Sequence, residues 1–417
     1  MEITIEEYIR QSRIEKYLPK DYSEKVSRYI DIFRTISDIE QINFKYPNLY
    51  CCYTLVKSCE MVVLNGESYL IYDMALGQYM SFLNTFINCK DDMQDVLEWF
   101  YSRCEAEIFC ANSEFEAAIL SKIKVDCIQE SHSDVFSKYN AHLPISEAMT
   151  YIQECFVMLH EVSHFRLNSI SREEYNQQIL SMREWVFDVD LNKLDDRDSN
   201  KMREFLESDE FSGSIQLTSE AFDTIYNSHI KFEQEYYSKD SNIEEIICDD
   251  YSLSLLLNNR KCFLPILTDI YGFELDERSY YYLVCYSCQV ALESLAILEI
   301  LENRCTSIKS QLNDVEMSKT NKLEDPFSSS LARKRSLIHS MIRILVSKDP
   351  VFSEGLPMLT LTFDNSCLFL WEALIHRKMS KEAQEKYDFK VNNMQDFYDN
   401  ETLLVLKEVC LARVRQW

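Results

Sequence analysis

Residues 160–164 read His-Glu-Val-Ser-His. Two histidines four residues apart stand one turn from each other on the same face of a helix, so two imidazole nitrogens can reach one tetrahedral Zn²⁺. Glu161 follows the first of them and projects beside that ion, where its carboxylate can take a proton from an activated water. A catalytic zinc needs three protein ligands and one open position, so the motif still lacks a ligand. Glu245 and Asp249 stand one helical turn apart in Glu244-Glu245-Ile246-Ile247-Cys248-Asp249. The glutamate can close the ligand set, and the aspartate can accept the other ring N–H of a ligand histidine, which fixes its tautomer.

Two helices and a sheet must position these groups. Pro144 opens the first helix, with Ser146 as its expected N-cap and Glu147 in its first turn. Ala148, Ile152, Cys155, Leu159 and Leu167 form one apolar stripe, which Phe156, Val157 and Met158 widen almost all round. A helix apolar on most faces is internal, and two imidazoles buried there are costly unless hydrogen-bonded or bound to metal. Upstream, residues 49–56 and 59–64 are dense in β-branched and aromatic side chains, and Asn65-Gly66 separates them from a similar run at 68–72. Asn-Gly between two such runs is the strongest short signal for a hairpin. The edge of that sheet could bind a peptide as an added strand. From residue 74 the pattern turns helical and continues so through Trp99, Phe109 and Ile119.

Composition agrees with a mostly helical chain. There are 5 glycines in 417 residues, against a usual share of about 7%. Tight βα turns and phosphate-cradling loops need glycine, so a nucleotide-binding Rossmann or P-loop domain is disfavoured. Hydrophobic residues make up 46% and aromatic residues 12%, enough for a substantial core. The expected fold class is α+β, predominantly α-helical, with a small antiparallel sheet, an active-site helix and extra helices. Three regions are expected: an N-terminal helical segment (1–45), a catalytic region (46–303) with an acidic surface insertion at about 172–242, and a linker with a C-terminal helical region (304–417). The insertion carries Asp188, Asp190, Asp195, Asp196 and Asp198, without the glycine and terminal glutamate of a calcium-binding EF-hand loop.

The net charge of −26 repels phosphate backbones and excludes nucleic acid as an expected partner. The fifteen cysteines are scattered singly, and Glu2, Glu6 and Glu7 stand where a signal peptide needs a basic region. Reduced, buried cysteines in a cytoplasmic protein are expected. Cys285 and Cys288 lie in the most apolar run, 280–300, with no second pair to complete a metal knuckle. Gln289, Glu293 and Glu299 interrupt that run, which reads as a core helix with no membrane partner implied.

With both motifs in view, the chain resembles the gluzincin type of zinc metallopeptidase, in which a glutamate on a second helix is the third ligand. More narrowly it is similar to the phage-exclusion (Lit-type) peptidases of bacteria, in which H-E-I-S-H precedes an E-E-x-x-A-D segment. Their upstream strand-then-helix looks like residues 67–86 here, and the resemblance spans about 46–303. Cys248 stands in place of their usual alanine, the insertion between the motifs is longer, and Asp325-Pro326 stands where a histidine-proline often follows. The resemblance implies a zincin-like core and a protein or peptide substrate. His160, His164 and Glu245 would then hold Zn²⁺, with Glu161 as general base in hydrolysis of a peptide bond and a setting in phage defence or regulation. Tyr280, Tyr281, Tyr282, His339 and Arg333 are candidates for the group that stabilises the oxyanion. The alternative reading is a catalytically silent binding, scaffold or sensor protein that keeps the zincin-like helix. Nothing in the sequence speaks to the oligomeric state.

Overall fold

The structure is a computed structural model. It describes residues 3–12, 23–39, 47–88, 94–112, 114–132, 144–187, 231–232, 234–272, 275–312, 326–348, 370 and 379–394. Among these residues the chain is predominantly helical with one small sheet, an α+β arrangement. The elements that matter here are α1 (Ile5–Ser12), α2 (Ser23–Ile39), β1 (Asn48–Cys52), β2 (Cys59–Leu64), β3 (Glu67–Asp73), α3 (Met74–Asn88), α4 (Gln94–Ala111), α5 (Phe115–Ser131), α6 (Pro144–Ser169), α7 (Arg172–Val186), α8 (Asp240–Asn258), α9 (Arg260–Tyr271), α10 (Glu277–Leu312), α11 (Pro326–Lys348) and α12 (Lys381–Met394).

The hairpin forms where Asn65-Gly66 predicts it. Both turn residues have positive φ, 53° and 81°, the backbone a two-residue turn needs to follow the twist of its strands. The sheet is mixed, which corrects the antiparallel expectation. Strand order is β1-β3-β2, with β2 antiparallel and β1 parallel to the central β3. The reason is the loop at 53–58, which the carboxylate of Asp73 at the end of β3 gathers up. Asp73 accepts the backbone N–H of Thr54 at 3.1 Å and of Lys57 at 3.1 Å. It also accepts the Thr54 hydroxyl and, at 3.0 Å, the N–H of Ala75 in the first turn of α3. That anchor carries the chain from one side of β3 to the other, so β1 and β2 flank the same strand instead of pairing. Lys57 has φ +54° in this loop, a backbone region that costs a side-chain-bearing residue energy.

α6 is internal over most of its length, as its composition requires. It begins at Pro144, where proline is well tolerated because the first N–H has no partner within the helix. Ser146 is therefore inside the helix, not its cap, and its hydroxyl donates to the carbonyl of Asn84 at 3.2 Å. Arg172–Val186, within the stretch expected as a surface insertion, form α7, which opens on a capping box between Ser171 and Glu174. α7 buries Ile179 and Val186 in a cluster with Ile243, Ile246 and Ile247 of α8. The aspartates at 188–198 lie outside the described residues, as does Asp325 before α11.

Two apolar clusters make most of the core, and a small third joins Ile9, Cys52 and Ile71. Three helices run between the first two. α6 leaves the larger cluster at Val162 and joins the smaller at Leu167, α8 passes from Cys248 to Leu253, and α11 from Ala332 to Leu337. His164, Asp249 and Arg333 stand at these three crossings. α10 is long and apolar enough to cross a membrane by length and composition, and 78% of its most apolar window is buried inside the fold. Cys285 and Cys288 are buried in it, and desolvation pushes both thiols up.

Candidate metal centre

The order of contacts between α6 and α8 is inverted along the chain. His160 faces Asp249 and His164 faces Glu244, so the helices run antiparallel and each turn of one meets a turn of the other. Both histidines point Nε2 inward. His160 Nε2 and His164 Nε2 are 3.1 Å apart, and the Glu245 carboxylate lies 3.2 Å from the first and 3.3 Å from the second. These ligand atoms form one group that could hold a metal ion.

The spacing fits the ion. Metal–ligand bonds of about 2.0–2.1 Å in a tetrahedral set place the ligand atoms about 3.3–3.4 Å apart; the Nε2–Nε2 edge of 3.1 Å and the approaches of Glu245 Oε2 to His160 at 3.2 Å and Oε1 to His164 at 3.3 Å are close to that. The donor chemistry fits as well. Two lone-pair nitrogens and one carboxylate are a set that zinc takes with an open fourth position.

Carboxylates hold the outer sides of both rings. His164 Nδ1 is 2.9 Å from Glu244 Oε1, and Tyr175 Oη on α7 donates to the other oxygen of Glu244 at 2.8 Å. His160 Nδ1 is 2.9 Å from Asp249 Oδ1. That is a charge contact more than a straight hydrogen bond, since the nitrogen finds no well-aligned acceptor. Asp249 thus sits where the sequence places it. Glu244 carries the matching role on the second histidine, which the sequence reading misses. Its one signal is the doubled Glu244-Glu245, two acids where one ligand is needed.

Arg333 closes the arrangement from α11. Its Nε and Nη2 donate to Asp249 at 2.8 and 2.7 Å, and Nη1 reaches Glu245 Oε2 at 3.2 Å. Burial favours the neutral form of Asp249, but the charge and hydrogen bonds of Arg333 outweigh it and hold the carboxyl below its ordinary value. Glu245 is likewise held low, burial being overcome by its hydrogen bonds to His160 and His164 and by Arg333. Both imidazoles are raised. Burial pushes them down, and it is outweighed by Asp249 and Glu245 at His160 and by Cys248 and Glu245 at His164.

Beside the ligands is a cavity of about 350 Å³. Glu161, His160, Glu245 and Arg333 line it, together with residues 56–59 ahead of and at the start of β2. Burial raises the Glu161 carboxyl, against the lowering charges of His160 and His164. Of the five groups proposed for the oxyanion, Arg333 lines this cavity. Tyr280 spends its hydroxyl on the Leu256 carbonyl at 2.7 Å and Tyr281 on Glu277 at 2.8 Å.

Compared with models of protein families, with curated proteins and with solved structures, the chain finds no match in any of the three.

Proposed function

We propose that this protein is an intracellular zinc-dependent endopeptidase of gluzincin type, with a zincin-like core around α6 and α8. By its two motifs it resembles the Lit-type peptidases of phage exclusion. The observation that carries this reading is the meeting of His160 Nε2, His164 Nε2 and the Glu245 carboxylate at tetrahedral spacing, beside a cavity that Glu161 lines.

Zn²⁺ held by these three residues would supply Lewis acidity, lowering the pKa of a water to about 7 and polarising a peptide carbonyl. The chain's own groups do the rest. Glu161, its carboxyl raised by burial above the ordinary value, takes the water's proton and returns it to the leaving amine. Glu244 and Asp249 hold the rings so that Nε2 presents its lone pair. Arg333 balances the acids and turns a guanidinium edge to the cavity, where negative charge develops on the carbonyl oxygen. β2 is paired on one side by β3, and its first residue, Cys59, lines the cavity. Its other edge can take an extended substrate backbone, which accounts for a protein or peptide substrate.

The test is Glu161→Gln. About one zinc per chain is expected in both the parent protein and the variant, with proteolysis falling at least ~10²-fold in the variant, the scale of a lost general base. Elemental analysis and cleavage of a denatured protein substrate read the two separately. A parent protein that binds no zinc refutes the metal centre. A variant that keeps full biological activity favours the silent scaffold instead.

A further inference from the structure

A second cavity, of about 570 Å³, opens where the end of α6 meets α7, α8 and α11. It shares no lining residue with the cavity beside Glu161. Ile247, Asp250, Tyr251 and Ser254 line it from α8, and helical spacing puts them on the side turned away from Glu245 and Asp249.

Its charged groups are not equally engaged. Asp250 on α8 takes the guanidinium of Arg343 on α11, which also lies over the Trp185 ring, 5.1 Å from its centre. Glu174 on α7 spends one oxygen on the capping box, accepting the backbone N–H of Ser171 at 3.1 Å and its hydroxyl at 3.0 Å. Arg166 on α6 differs. Its guanidinium carbon stands 4.4 Å from the centre of the Tyr251 ring, and among the described residues it meets neither an acid nor a hydrogen-bond acceptor. The chain has 69 Asp and Glu against 43 Lys and Arg, so an arginine that lines a cavity without a carboxylate runs against its composition. A charged donor left unsatisfied is costly, and that points to an acceptor supplied from outside.

The kind of acceptor follows from the rest of the lining. A guanidinium stacked on a ring has its plane fixed, and its planar fork pairs with a carboxylate through two parallel hydrogen bonds. Arg166 Nε is buried without an acceptor, which leaves the two Nη groups for that pairing. The remaining polar groups are neutral: the amides of Gln177 and Gln178 and the hydroxyls of Ser181 and Ser254. Met182, Trp185 and Ile247 supply an apolar part. One unpaired cation among neutral donors suits a single negative charge, whereas a dianion would also be repelled by Glu174 and Asp250. About 570 Å³ falls within the ~300–1,000 Å³ usual for small-ligand pockets.

We infer that this cavity binds a small monocarboxylate with an apolar body about the size of a benzyl group. Arg166 takes the carboxylate end-on, the glutamine amides bond polar groups beside it, and the body lies on Met182, Trp185 and Ile247. The site stands apart from the metallopeptidase reading and does not depend on it.

Calorimetric titration of the full-length chain, with its zinc content measured, tests this with three probes that carry a phenyl ring. They are N-acetyl-phenylalanine, its neutral amide, and phenyl phosphate, a dianion above neutral pH. The acid should bind at least ~10-fold more tightly than the amide, the scale of a charge-assisted hydrogen-bonded pair. Phenyl phosphate should bind more weakly than the acid. Arg166→Gln should abolish the preference for the acid with zinc content unchanged. Gln178→Glu, on the outer side of α7, adds an acid to the cavity without touching the core. It should weaken binding of the acid by at least about threefold and leave the amide unaffected, which keeps the test decisive if Arg166→Gln fails to fold. Equal binding of acid and amide overturns the inference, as does the absence of binding by any probe. A preference that survives Arg166→Gln places the carboxylate elsewhere, the metal centre included, and overturns it too. Tighter binding of phenyl phosphate would make this a phosphate site and refute the monocarboxylate.

Discussion

Two Nε2 atoms 3.1 Å apart cannot both carry hydrogen along the line between them. In the metal-free chain Asp249 and Glu244 claim the Nδ1 sides of the rings, and each Nε2 faces an oxygen of Glu245. These partners favour the protonated rings against burial, which favours the neutral ones. The stabilisation this gives is full below the ordinary histidine value of about 6.5, and is lost as pH rises through the elevated folded value. Metal competes for the same lone pairs. One to two protons should leave per ion bound at pH 7.5, and affinity should fall at least about tenfold per unit as pH drops further. Calorimetry in buffers of different ionisation enthalpy counts the protons, and a count near zero refutes the protonated rings. The two supporting acids should differ in what their loss does. Asp249 is buried and bound twice by Arg333, so Asp249→Asn strands a guanidinium and should cost about 3–5 kcal/mol of stability. Glu244 is partly exposed, and Glu244→Gln should cost about 10–100-fold in zinc affinity with little change in stability. Urea melts and a chelator competition distinguish the two, and indistinguishable variants would contradict this division. Of these groups, His160, Glu161, His164, Glu245 and Asp249 are legible from spacing within single helices. Glu244 is not, and Arg333 is legible only as one of five oxyanion candidates, because their bonds to His164 and Asp249 depend on how two helices are turned and on a partner 84 residues along the chain.

At the scale of elements, α3 lies close against α6 because Gly77 lets it. A Cβ at Gly77 would run into the Glu154 carboxylate and stand 2.8 Å from the Tyr72 hydroxyl. Glu154 is buried on α6, where Tyr29 and Tyr72 donate to it at 2.7 and 3.2 Å. This network ties α2, β3 and α3 to the helix that carries the histidines. Gly77→Ala gains helix propensity of about 1 kcal/mol, but overpacking of this kind typically costs about 1–3 kcal/mol. Because the clash is with a hydrogen-bonded carboxylate, the net effect should be destabilising. A thermal melt decides it, and a variant more stable than the parent would mean that the helices can separate at no cost. The hairpin and the internal character of α6 follow from local pattern, Asn65-Gly66 and an all-round apolar run. The parallel pairing of β1 does not, because it depends on one carboxylate, Asp73, collecting donors from a loop that precedes it by fifteen to twenty residues. Ser146 misleads for a similar reason: a serine near a helix start resembles a cap until Asn84 is seen to take its hydroxyl.

For the molecule as a whole, the candidate metal centre lies where the two apolar clusters meet, and α6, α8 and α11 each cross that seam beside it. Apolar composition identifies the helices as buried but does not say which cluster each end joins, so the seam cannot be found by counting hydrophobic residues. Its polar lining keeps the two clusters from merging, and an ion there joins α6 to α8 at the crossing. Metal that binds only the folded chain should therefore stabilise both clusters together. With free zinc at ~1,000 times its dissociation constant, the gain is about 4 kcal/mol, roughly a 5 °C rise in Tm for a chain of this size. Scanning calorimetry with zinc and then with excess chelator measures it. The expected trace is one transition that moves as a unit, since α6 and α8, which would hold the ion, each run through both clusters. Two transitions, with one indifferent to the metal, would mean that the clusters unfold independently and that the site belongs to one of them.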